Sequence, residues 1–357
     1  MKIVQLSYSL SSGGAERFVV DLSNYLSNIK DVEIILLTTD DDKIIKNTHY
    51  LSELSPKVKY INLHCSGGLH PKSFWRVYKA IKEIKPDIVH AHCNLILIYL
   101  PALFLRKIKF VHTLHNLADI CLKYKWCKFI NKSLYKKRVL PITISEICRK
   151  SFIKLYKTQD VTCIMNGRNE LIPSGHMPID IPFVQDKVPV FIHVARCTTQ
   201  KNQTRLFYAF DKLMHEGVKF HLIVLGSGYE NNWMIKYKNN SQIHILGERK
   251  NVADYMVAAD FFILSSDYEG LPLTLLEAMS MGVVPISTPA GGVIDVIKDG
   301  KNGYLTQNFD DNELYIKIKQ ALNERGKIKK ELIIKEYGNS FSMNICANKY
   351  YNKYLQL

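Results

Sequence analysis

Short apolar runs alternate with amphipathic segments along the first half of the chain. Two amphipathic segments, Ala15–Leu26 and Ser73–Ile84, carry apolar residues at helical spacing. The apolar runs have the length and composition of buried strands and cover Ile3–Leu6, Glu33–Leu37, Lys59–Leu63, Ile88–Ala91, Phe110–Thr113, Pro141–Ser145 and Cys163–Met165. Strands that alternate with helices predict a parallel sheet with helices on both faces.

The same alternation starts again in the second half of the chain. Its predicted strands are Val190–Val194, Lys219–Leu225, Ile243–Leu246, Ala259–Leu264, Val283–Ser287 and Gly303–Leu305. Pro173–Pro178 and Pro182 form a weakly periodic stretch before them, which places a linker near residues 170–185. We therefore predict an α/β protein with two doubly wound, Rossmann-like domains, 1–175 and 185–341, that face each other across a cleft.

The end of the chain carries one more helical segment. In Ser342–Leu357, Ile345, Tyr350, Tyr351, Tyr354 and Leu355 recur at helical spacing. This segment can pack against either domain.

Length and composition agree with a globular protein of two domains. The chain has 357 residues, of which 47% are hydrophobic and 23% charged, which is too long for one ordinary core. The first residues begin directly as a strand and lack the features of a signal peptide, so we expect a cytoplasmic protein. The longest apolar stretch, Leu95–Leu105, contains Pro101 and is about half the length that crosses a bilayer, which predicts a buried helix.

The cysteines show no pattern of paired or metal-binding thiols. No CxxC pair and no metal-ligand spacing occurs among Cys65, Cys93, Cys121, Cys127, Cys148, Cys163, Cys197 and Cys346. We expect scattered, mostly buried thiols of a reducing compartment, with neither disulfides nor structural zinc.

The net charge of +15 is concentrated in one segment. Between Lys123 and Lys157, eleven Lys or Arg residues accompany a single acid, Glu146, and they are interleaved with Tyr124, Trp126, Phe129, Tyr135, Phe152 and Tyr156. Basic residues beside aromatic ones favour an anionic membrane surface, although a solvated basic helix face explains the charge equally well. No nucleic-acid-binding motif accompanies the segment, so we expect no nucleic-acid partner.

Two glutamates stand seven residues apart in the run from Ser265 to Gly282. Phe261–Leu264 reads as a strand, Asp267–Pro272 as a turn and Leu273–Met281 as a helix. Glu269 and Glu277 would then flank a helix N-terminus, where free backbone N–H groups attract a phosphate. A single glutamate near a helix start is common in any protein. The pair suits a sugar nucleotide, because carboxylates bind its hydroxyl groups and the helix dipole attracts its diphosphate.

Glycine turns and two cations follow other predicted strands. Gly13 and Gly14 open the first helix, and Gly226 and Gly228 follow Lys219–Leu225; each pair fits either a tight turn or a close approach to a nucleotide. Arg196 and Lys201 follow Val190–Val194, where two cations beside a helix start can stabilise a diphosphate leaving group without a metal.

Four histidines and a run of three aspartates could each suggest a metal site, but we predict none. His90, His92, His112 and His115 lie at the ends of two strands, but we expect the histidines of a pair to diverge and no cysteine or acid completes a set. His115 is the one most suited to donate a hydrogen bond to a sugar or phosphate. Asp40–Asp42 has the DxD spacing of metal-dependent transferases but lies in a polar turn typical of solvated acids.

The run from Glu269 to Glu277, with Gly270, Pro272, Ala278 and Gly282, resembles the EGxPxxxxEAxxxG signature of the family 4 retaining glycosyltransferases, which have the GT-B fold. The resemblance extends in the same order along nearly the whole chain, through Gly13–Glu16, Asp87–His90, His115, Ile164–Gly167, Arg196, Lys201–Asn202, Gly226–Gly228 and Thr288–Gly292. It departs from the family at Asp295, often Glu, and at Cys197, often Leu or Phe, which leaves local donor contacts open.

The resemblance implies a role for each matching residue. Arg196 and Lys201 would grip the donor diphosphate, Glu277 the ribose hydroxyls, and Glu269 the transferred sugar. The donor site would also include Gly13, Gly14, Gly226, Gly228, Gly270 and Leu271, and His115 would lie beside the sugar. The last helix would cross back onto the first domain.

These inferences predict a hexosyltransferase at the inner face of the cell membrane. It would transfer a hexose or N-acetylhexosamine, with retention, from a UDP- or GDP-sugar to a lipid-linked oligosaccharide of a surface polysaccharide such as O-antigen, capsule or exopolysaccharide. No metal or other cofactor is expected. A sugar-nucleotide epimerase of the same fold and a non-catalytic sugar-nucleotide-binding subunit are the alternatives.

Overall fold

The computed structural model describes residues 1–65, 71–92, 94–122, 124–176, 178–181, 188–230, 232–237 and 239–357. Cys93, Lys123, Met177 and Pro182, which the sequence-based predictions include, lie outside these ranges. The chain divides into two compact units, one formed by Met1–Asn169 with Ser342–Leu357 and the other by Glu170–Phe341. Each unit has its own parallel sheet.

The first unit contains a seven-stranded parallel sheet with the order β3-β2-β1-β4-β5-β6-β7. Its strands are β1 (Lys2–Ser7), β2 (Glu33–Asp40), β3 (Lys59–Cys65), β4 (Ile88–Ala91), β5 (Lys109–Leu114), β6 (Val139–Thr143) and β7 (Thr162–Cys163). Nearly all central-strand residues are buried, as expected for a sheet covered on both faces. The strand order reverses between β1 and β4.

Helices connect the strands of the first unit. They are α1 (Gly14–Leu26), α2 (Pro71–Ile84), α3 (Tyr99–Phe104), α4 (Ala118–Cys121), α5 (Cys127–Lys137) and α6 (Glu146–Tyr156). The predicted buried helix over Leu95–Leu105 is wrong in part. A 3-10 helix, Leu95–Ile98, is buried, but α3 exposes Leu103 and Phe104 at its end.

The second unit repeats the architecture with a six-stranded parallel sheet of order β10-β9-β8-β11-β12-β13. Its strands are β8 (Val190–Val194), β9 (His221–Leu225), β10 (Ile243–Gly247), β11 (Phe261–Leu264), β12 (Val284–Ser287) and β13 (Tyr304–Leu305). Its helices are α7 (Gln203–His215), α8 (Val252–Met256), α9 (Leu273–Ser280), α10 (Val293–Val296), α11 (Asp311–Asn323) and α12 (Lys330–Ser340). Here the strand order reverses between β8 and β11.

The last helix, α13 (Met343–Leu355), packs on α1 of the first unit. The backbone N–H of Met343 donates to the carbonyl of Arg168 over 2.9 Å, and a β carbon on Gly167 would overlap that of Cys346. Tyr350 and Tyr354 are buried. The first unit is therefore completed by the end of the chain. Among the described residues, no helix has the length and apolar character needed to span a membrane.

Candidate active site

Open parallel sheets bind ligands beyond the carboxyl ends of the strands, where the strand order reverses. In the second unit this point lies between β8 and β11, and the loops that follow the two strands are joined. The backbone N–H of Asp267 donates to the carbonyl of Gln200 over 2.9 Å, and Ser265 Oγ donates to the carbonyl of Lys201 over 2.8 Å. The fold thus brings Lys201 beside the run that contains Glu269.

A salt bridge joins these two residues. Lys201 Nζ lies 2.6 Å from Glu269 Oε1, and Glu269 is 5% exposed. The same oxygen accepts a hydrogen bond of 2.7 Å from Ser266 Oγ, while Gln200 Nε2 donates to the other oxygen over 3.4 Å. Ser266 and Gln200 were not singled out in the sequence, although the position of Ser266 two residues after β11 was a usable signal.

Two neighbouring residues fix the loop that carries Lys201. Asn202 adopts a left-handed conformation with φ +44° and caps α7, where its Oδ1 accepts from the Arg205 N–H over 3.2 Å. The buried guanidinium of Arg205 donates to Asp267 and to the Ser265 carbonyl, each over 2.8 Å. Arg205 is a further supporting residue that sequence reasoning missed. It is buried on a helix, a position where sequence alone suggests no partner.

Arg196 lies in the same β8–α7 loop, and its side chain is exposed. Its carbonyl accepts from the buried Gln203 side chain over 3.0 Å, which holds the backbone in place. Within the described part of the chain, no protein group bonds its guanidinium. This cation can therefore reach a ligand.

The turn after β12 supports Gly270. The Gly292 N–H donates to the Gly270 carbonyl over 2.7 Å, and Thr288 Oγ1 donates to the Ser266 carbonyl over 2.6 Å. Gly291 has φ +55°, and a β carbon there would overlap the backbone of Glu269. Only glycine fits this position.

Leu271 and Glu277 complete this region of the second unit. Leu271 is buried just before α9, and Glu277 is half-buried within that helix. Because α9 begins at Leu273, Glu269 and Glu277 lie on either side of its start, as the sequence predicts. The first turn of α9 therefore lies between them in the chain, and the N–H groups of a first turn have no acceptor within an α-helix.

Gly226 and Gly228 follow β9, next to the same loop. Gly226 has φ +135°, and a β carbon there would overlap the carbonyl of Ala195. The Cys197 N–H donates to the Ser227 carbonyl over 2.8 Å. The glycine turn thus packs directly on the Arg196 loop.

The remaining predicted site residues lie in the first unit. Gly13 is the N-cap of α1 and Gly14 is its first residue, with open space where a β carbon would be. Both follow β1, at the reversal of strand order. His115 directly follows β5, and its ring centroid lies 5.4 Å from that of Phe18 on α1.

The expectation that His90 and His92 diverge is wrong. Residues two apart on a strand point to the same face, and the ring centroids of His90 and His92 are 3.9 Å apart. His92 Nδ1 lies 3.0 Å from His115 Nε2, so these rings form one group. His112 alone points elsewhere, with its Nδ1 2.8 Å from the hydroxyl of Tyr135.

The aspartates after β2 form a small polar group with a histidine. Asp41 Oδ1 and Asp42 Oδ1 lie 3.5 and 3.2 Å from His64 Nδ1, and the ligand atoms of the three residues are within 4.8 Å of one another. Asp40 is not part of the group. The hydrogen bond from the Lys43 N–H, chiefly, lowers the pKa of the Asp41 carboxyl.

The basic-aromatic segment differs from its prediction in one respect. Tyr135, Phe152 and Tyr156 belong to the core of the first unit rather than to its surface. Trp126, which directly precedes α5, is 60% exposed, and Phe129 on that helix is 80% exposed. Only the start of the segment therefore presents aromatic rings beside its exposed lysines.

A second exposed aromatic group was missed by sequence reasoning. The ring centroids of Trp75 and Tyr78 are 5.3 Å apart, and those of Tyr78 and Phe104 are 6.4 Å apart. Trp75 and Phe104 are 65% and 66% exposed. These residues belong to α2 and α3, two elements that only the fold brings together.

Two known glycosyltransferases are similar to the chain in sequence. The chain is 27% identical over 342 residues to the GalNAc-α-(1→4)-GalNAc-α-(1→3)-diNAcBac-PP-undecaprenol α-1,4-N-acetyl-D-galactosaminyltransferase of Campylobacter jejuni, covering 93% of this chain and 92% of that protein. It is 28% identical over 265 residues to the UDP-Gal:α-D-GlcNAc-diphosphoundecaprenol α-1,3-galactosyltransferase of Escherichia coli, covering 67% of each.

Solved structures share the fold. A glycosyltransferase from Rickettsia africae has a TM-score of 0.81 at 21% identity over 99% of this chain and 98% of that one. Anabaena HepE, solved with UDP and glucose, has a TM-score of 0.79 at 19% identity over all of both chains. The chain therefore has the GT-B fold, which consists of two Rossmann-like domains.

Two family models cover most of the chain between them. Residues 12–170 match the model of Glycosyltransferase Family 4, and residues 180–341 match that of Glycosyl transferases group 1. These matches contain the residues described above, from Gly13 to Glu277. The chain therefore belongs to the family 4 glycosyltransferases and is a hexosyltransferase of the GT-B fold.

Proposed function

We propose that this enzyme transfers a hexose or N-acetylhexosamine, with retention of configuration, from a UDP- or GDP-sugar to a lipid-linked oligosaccharide. The names of two similar enzymes describe acceptors linked to undecaprenol, and the structure of a protein with the same fold was solved with UDP and glucose. These similarities favour a role in the synthesis of a surface polysaccharide such as O-antigen, capsule or exopolysaccharide.

The salt bridge between Lys201 and Glu269 carries the proposal. The two side chains meet at the reversal of strand order in the second unit, next to the start of α9. In the proposed complex, Lys201 and Arg196 hold the diphosphate, and Glu269 orients the transferred sugar. Glu277 takes the ribose hydroxyls, and Gly270, Leu271, Gly226 and Gly228 bring backbone close to the nucleotide.

The surroundings of Glu269 favour a mechanism without a covalent intermediate. Glu269 Oε1 already accepts from Lys201 and Ser266, and such a carboxylate is a weakened nucleophile. We therefore favour departure of the nucleoside diphosphate before the acceptor hydroxyl attacks from the same face of the sugar. Lys201 and Arg196 would stabilise the charge that develops on the leaving group.

The same cations make a metal unnecessary in this proposal. Two positive side chains and the first turn of α9 all act on the diphosphate, which is the task that a divalent ion performs in metal-dependent transferases. Activity that persists after treatment with EDTA would support this point, and activity that returns only with added metal would contradict it.

We further propose that the first unit binds the anionic inner face of the cell membrane. Trp126 and Phe129 are exposed, and so are four lysines of the same region: Lys125, Lys132, Lys136 and Lys137. Aromatic rings favour the headgroup region, while lysines are attracted to anionic lipids. A lipid-linked acceptor would lie at the same surface.

A transfer assay tests the proposal. The purified protein would be incubated with UDP- and GDP-sugars and an undecaprenyl-diphosphate-linked glycan, and the anomeric configuration of the product would be read by NMR. We expect a product that retains the donor configuration, and a decrease of roughly 100-fold or more in kcat for Arg196→Ala and Lys201→Ala. Lys301→Ala, an exposed lysine of the same unit, serves as the matched control.

Three results would contradict parts of the proposal. An inverted product would exclude the retaining mechanism. Wild-type turnover in Arg196→Ala or Lys201→Ala would remove those residues from the site. An isomerised sugar nucleotide formed without any acceptor would favour an epimerase.

A further inference from the structure

Arg196 lies on a loop whose backbone is bonded to a buried side chain. Gln203, the first residue of α7, is 3% exposed and reaches back to the loop that precedes this helix. Its Oε1 accepts from the Thr198 N–H over 3.3 Å, and its Nε2 donates to the Arg196 carbonyl over 3.0 Å. One side chain thus binds the backbone on both sides of Cys197.

The orientation of the Gln203 amide follows from its partners. A backbone N–H can only donate and a carbonyl can only accept, so the amide oxygen must face Thr198 and the nitrogen must face Arg196. The nitrogen also lies 3.4 Å from His193 Nε2. His193 Nδ1 donates to the Ile263 carbonyl over 2.9 Å, and burial chiefly lowers the pKa of His193 to about 4, so the ring is neutral at pH 7 and its Nε2 accepts. Exchanging the oxygen and nitrogen of the amide would leave all three contacts unpaired.

Tyr229 joins this group from the turn that follows β9. Its hydroxyl donates to the Ala195 carbonyl over 3.0 Å and accepts from Gln203 Nε2 over 3.2 Å. The side chain is 6% exposed, and burial raises the pKa of the hydroxyl, which therefore keeps its proton at pH 7. The Cys197 N–H donates to the Ser227 carbonyl of the same turn over 2.8 Å. The turn and the Gln203 side chain therefore both fix this loop.

The loop combines a fixed backbone with a cation that is free to bind a ligand. The Arg196 carbonyl is bonded to a buried amide, whereas its guanidinium is exposed and contacts no hydrogen-bond partner among the residues that the structure describes. A charge that stabilises a transition state acts most strongly when its position is set before the substrate binds. A fixed backbone limits the positions that the guanidinium can take.

We infer that Gln203 is a positioning residue for sugar transfer, which holds the backbone of Arg196 so that its guanidinium contacts the donor diphosphate. Arg196 touches the diphosphate, and Gln203 acts only through Arg196. The diphosphate in this inference rests on the proposed function. The fixed loop rests on the structure of the second unit alone.

Hydrogen exchange of the full-length protein tests the fixed loop without any substrate. At pH 7 we expect the Thr198 amide to exchange roughly 100-fold more slowly than in an unstructured peptide, because Gln203 Oε1 accepts from it. Mass spectrometry with fragmentation to single residues measures this rate. Exchange of the wild-type amide at the peptide rate would overturn the inference, even if every variant failed to fold.

Gln203→Met tests whether this side chain holds the loop, because methionine has a similar length and cannot make the same hydrogen bonds. We expect the exchange of Thr198 to become at least about tenfold faster. The Cys197 amide, which donates to the Ser227 carbonyl, should stay slow. An unchanged Thr198 rate in the folded variant would contradict the inference, and so would an equal acceleration of both amides, which indicates a general loss of structure.

A double-variant cycle separates positioning from a general loss of structure in the transfer assay. We expect Gln203→Met to lower kcat/KM for the donor by about tenfold in the wild-type background and to have almost no further effect when Arg196→Ala is present. A residue that only stabilises the second unit would lower the activity of both backgrounds by the same factor. Equal losses in the two backgrounds would therefore overturn the positioning role.

Asn302→Leu is the matched control. Asn302 is also a buried amide, 4% exposed, whose Oδ1 accepts from the Lys298 N–H over 2.7 Å and whose Nδ2 donates to the Val296 carbonyl over 2.9 Å. It lies before the amino end of β13, whereas the Arg196 loop follows the carboxyl end of β8. We expect Asn302→Leu to keep the wild-type kcat/KM, with thermal unfolding measured for both variants.

Two further outcomes are decisive. Equal losses of kcat/KM in Asn302→Leu and Gln203→Met would show that lost stability explains the effect, and would overturn the positioning role. A wild type that transfers no sugar would contradict the proposed function, and with it the catalytic part of this inference. The exchange rate of Thr198 would still decide whether Gln203 holds the loop.

Discussion

Lys201 and Glu269 form a salt bridge of 2.6 Å in which the side chains are 19% and 6% exposed. Their loops are 68 residues apart in the chain and meet because β8 and β11 are neighbours in the sheet. The salt bridge thus contributes both to the stability of the second unit and to the proposed site. Variants that change one of the two residues, or both, separate its effect on stability from its effect on catalysis.

We expect Lys201→Met to destabilise the second unit by about 2 kcal/mol, because Glu269 is then a shielded carboxylate without a cation. The double variant Lys201→Met/Glu269→Gln removes both charges and should regain part of this loss, while transfer stays abolished. Urea unfolding and the transfer assay measure the two effects. Losses that simply add in the double variant would show that the charges do not interact.

Gly291→Ala should destabilise the protein by about 3 kcal/mol or more, because the new β carbon overlaps the Glu269 backbone and the residue has positive φ. Gly300 has a similar φ of +72° with nothing within 4 Å of the added carbon. Gly300→Ala should therefore lose only about 1–2 kcal/mol. Equal thermal shifts would show that the close approach to Glu269 is unimportant.

Arg168→Met should cost about 2 kcal/mol of unfolding free energy. Arg168 Nη1 lies 2.6 Å from Asp21 Oδ2, and the two side chains are 7% and 1% exposed. The loss stays moderate because Arg17 Nη2, 3.1 Å from Asp21 Oδ1, remains as a partner. The control Arg325→Met breaks an exposed pair with Asp260 and should cost less than about 1 kcal/mol in the same urea titration.

Acid should destabilise the first unit through its histidines. The pKa of His115 is about 3 in the fold and 6.5 without it, so below pH 6.5 the unfolded chain binds more protons. Each histidine with such a lowered pKa decreases the free energy of unfolding by about 1.4 kcal/mol for every pH unit below 6.5. Unfolding measured at pH 7.5 and 5.5 should show a smaller decrease for His115→Gln than for wild type. The exposed His176→Gln should behave as wild type.

Neutralising Lys132, Lys136 and Lys137 together should weaken binding to vesicles that contain anionic lipid. At about 1 kcal/mol for each lysine, the loss is about 100-fold and should shrink in high salt. Phe129→Ser should also weaken binding, while Leu332→Ser, an exposed leucine of the second unit, should not. Unchanged co-sedimentation of the triple variant would favour an acceptor in solution.

The strand pattern was predictable because parallel strands buried on both faces are nearly continuous apolar runs. It also located Glu269 and Glu277 around the start of a helix. The contact between Gln200 and Glu269 was not predictable, since only the strand order brings these two loops together, whereas Ser266 lies three residues before Glu269 in the same loop. Likewise, nothing local shows that Tyr135 is buried, while Phe129, six residues earlier on the same helix, is exposed.

The placement of α13 has a consequence for synthesis of the chain. Tyr350 and Tyr354 fill the core of the first unit, but 172 residues of the second unit, 170–341, are translated before them. We expect the first unit to remain incompletely folded on the ribosome until the last helix emerges, because Gln5, His90 and Thr113 lack some of their hydrogen-bond partners until then. During that interval a nascent chain would depend on chaperones, and a ribosome that stalls before residue 343 would release a protein whose first unit cannot mature.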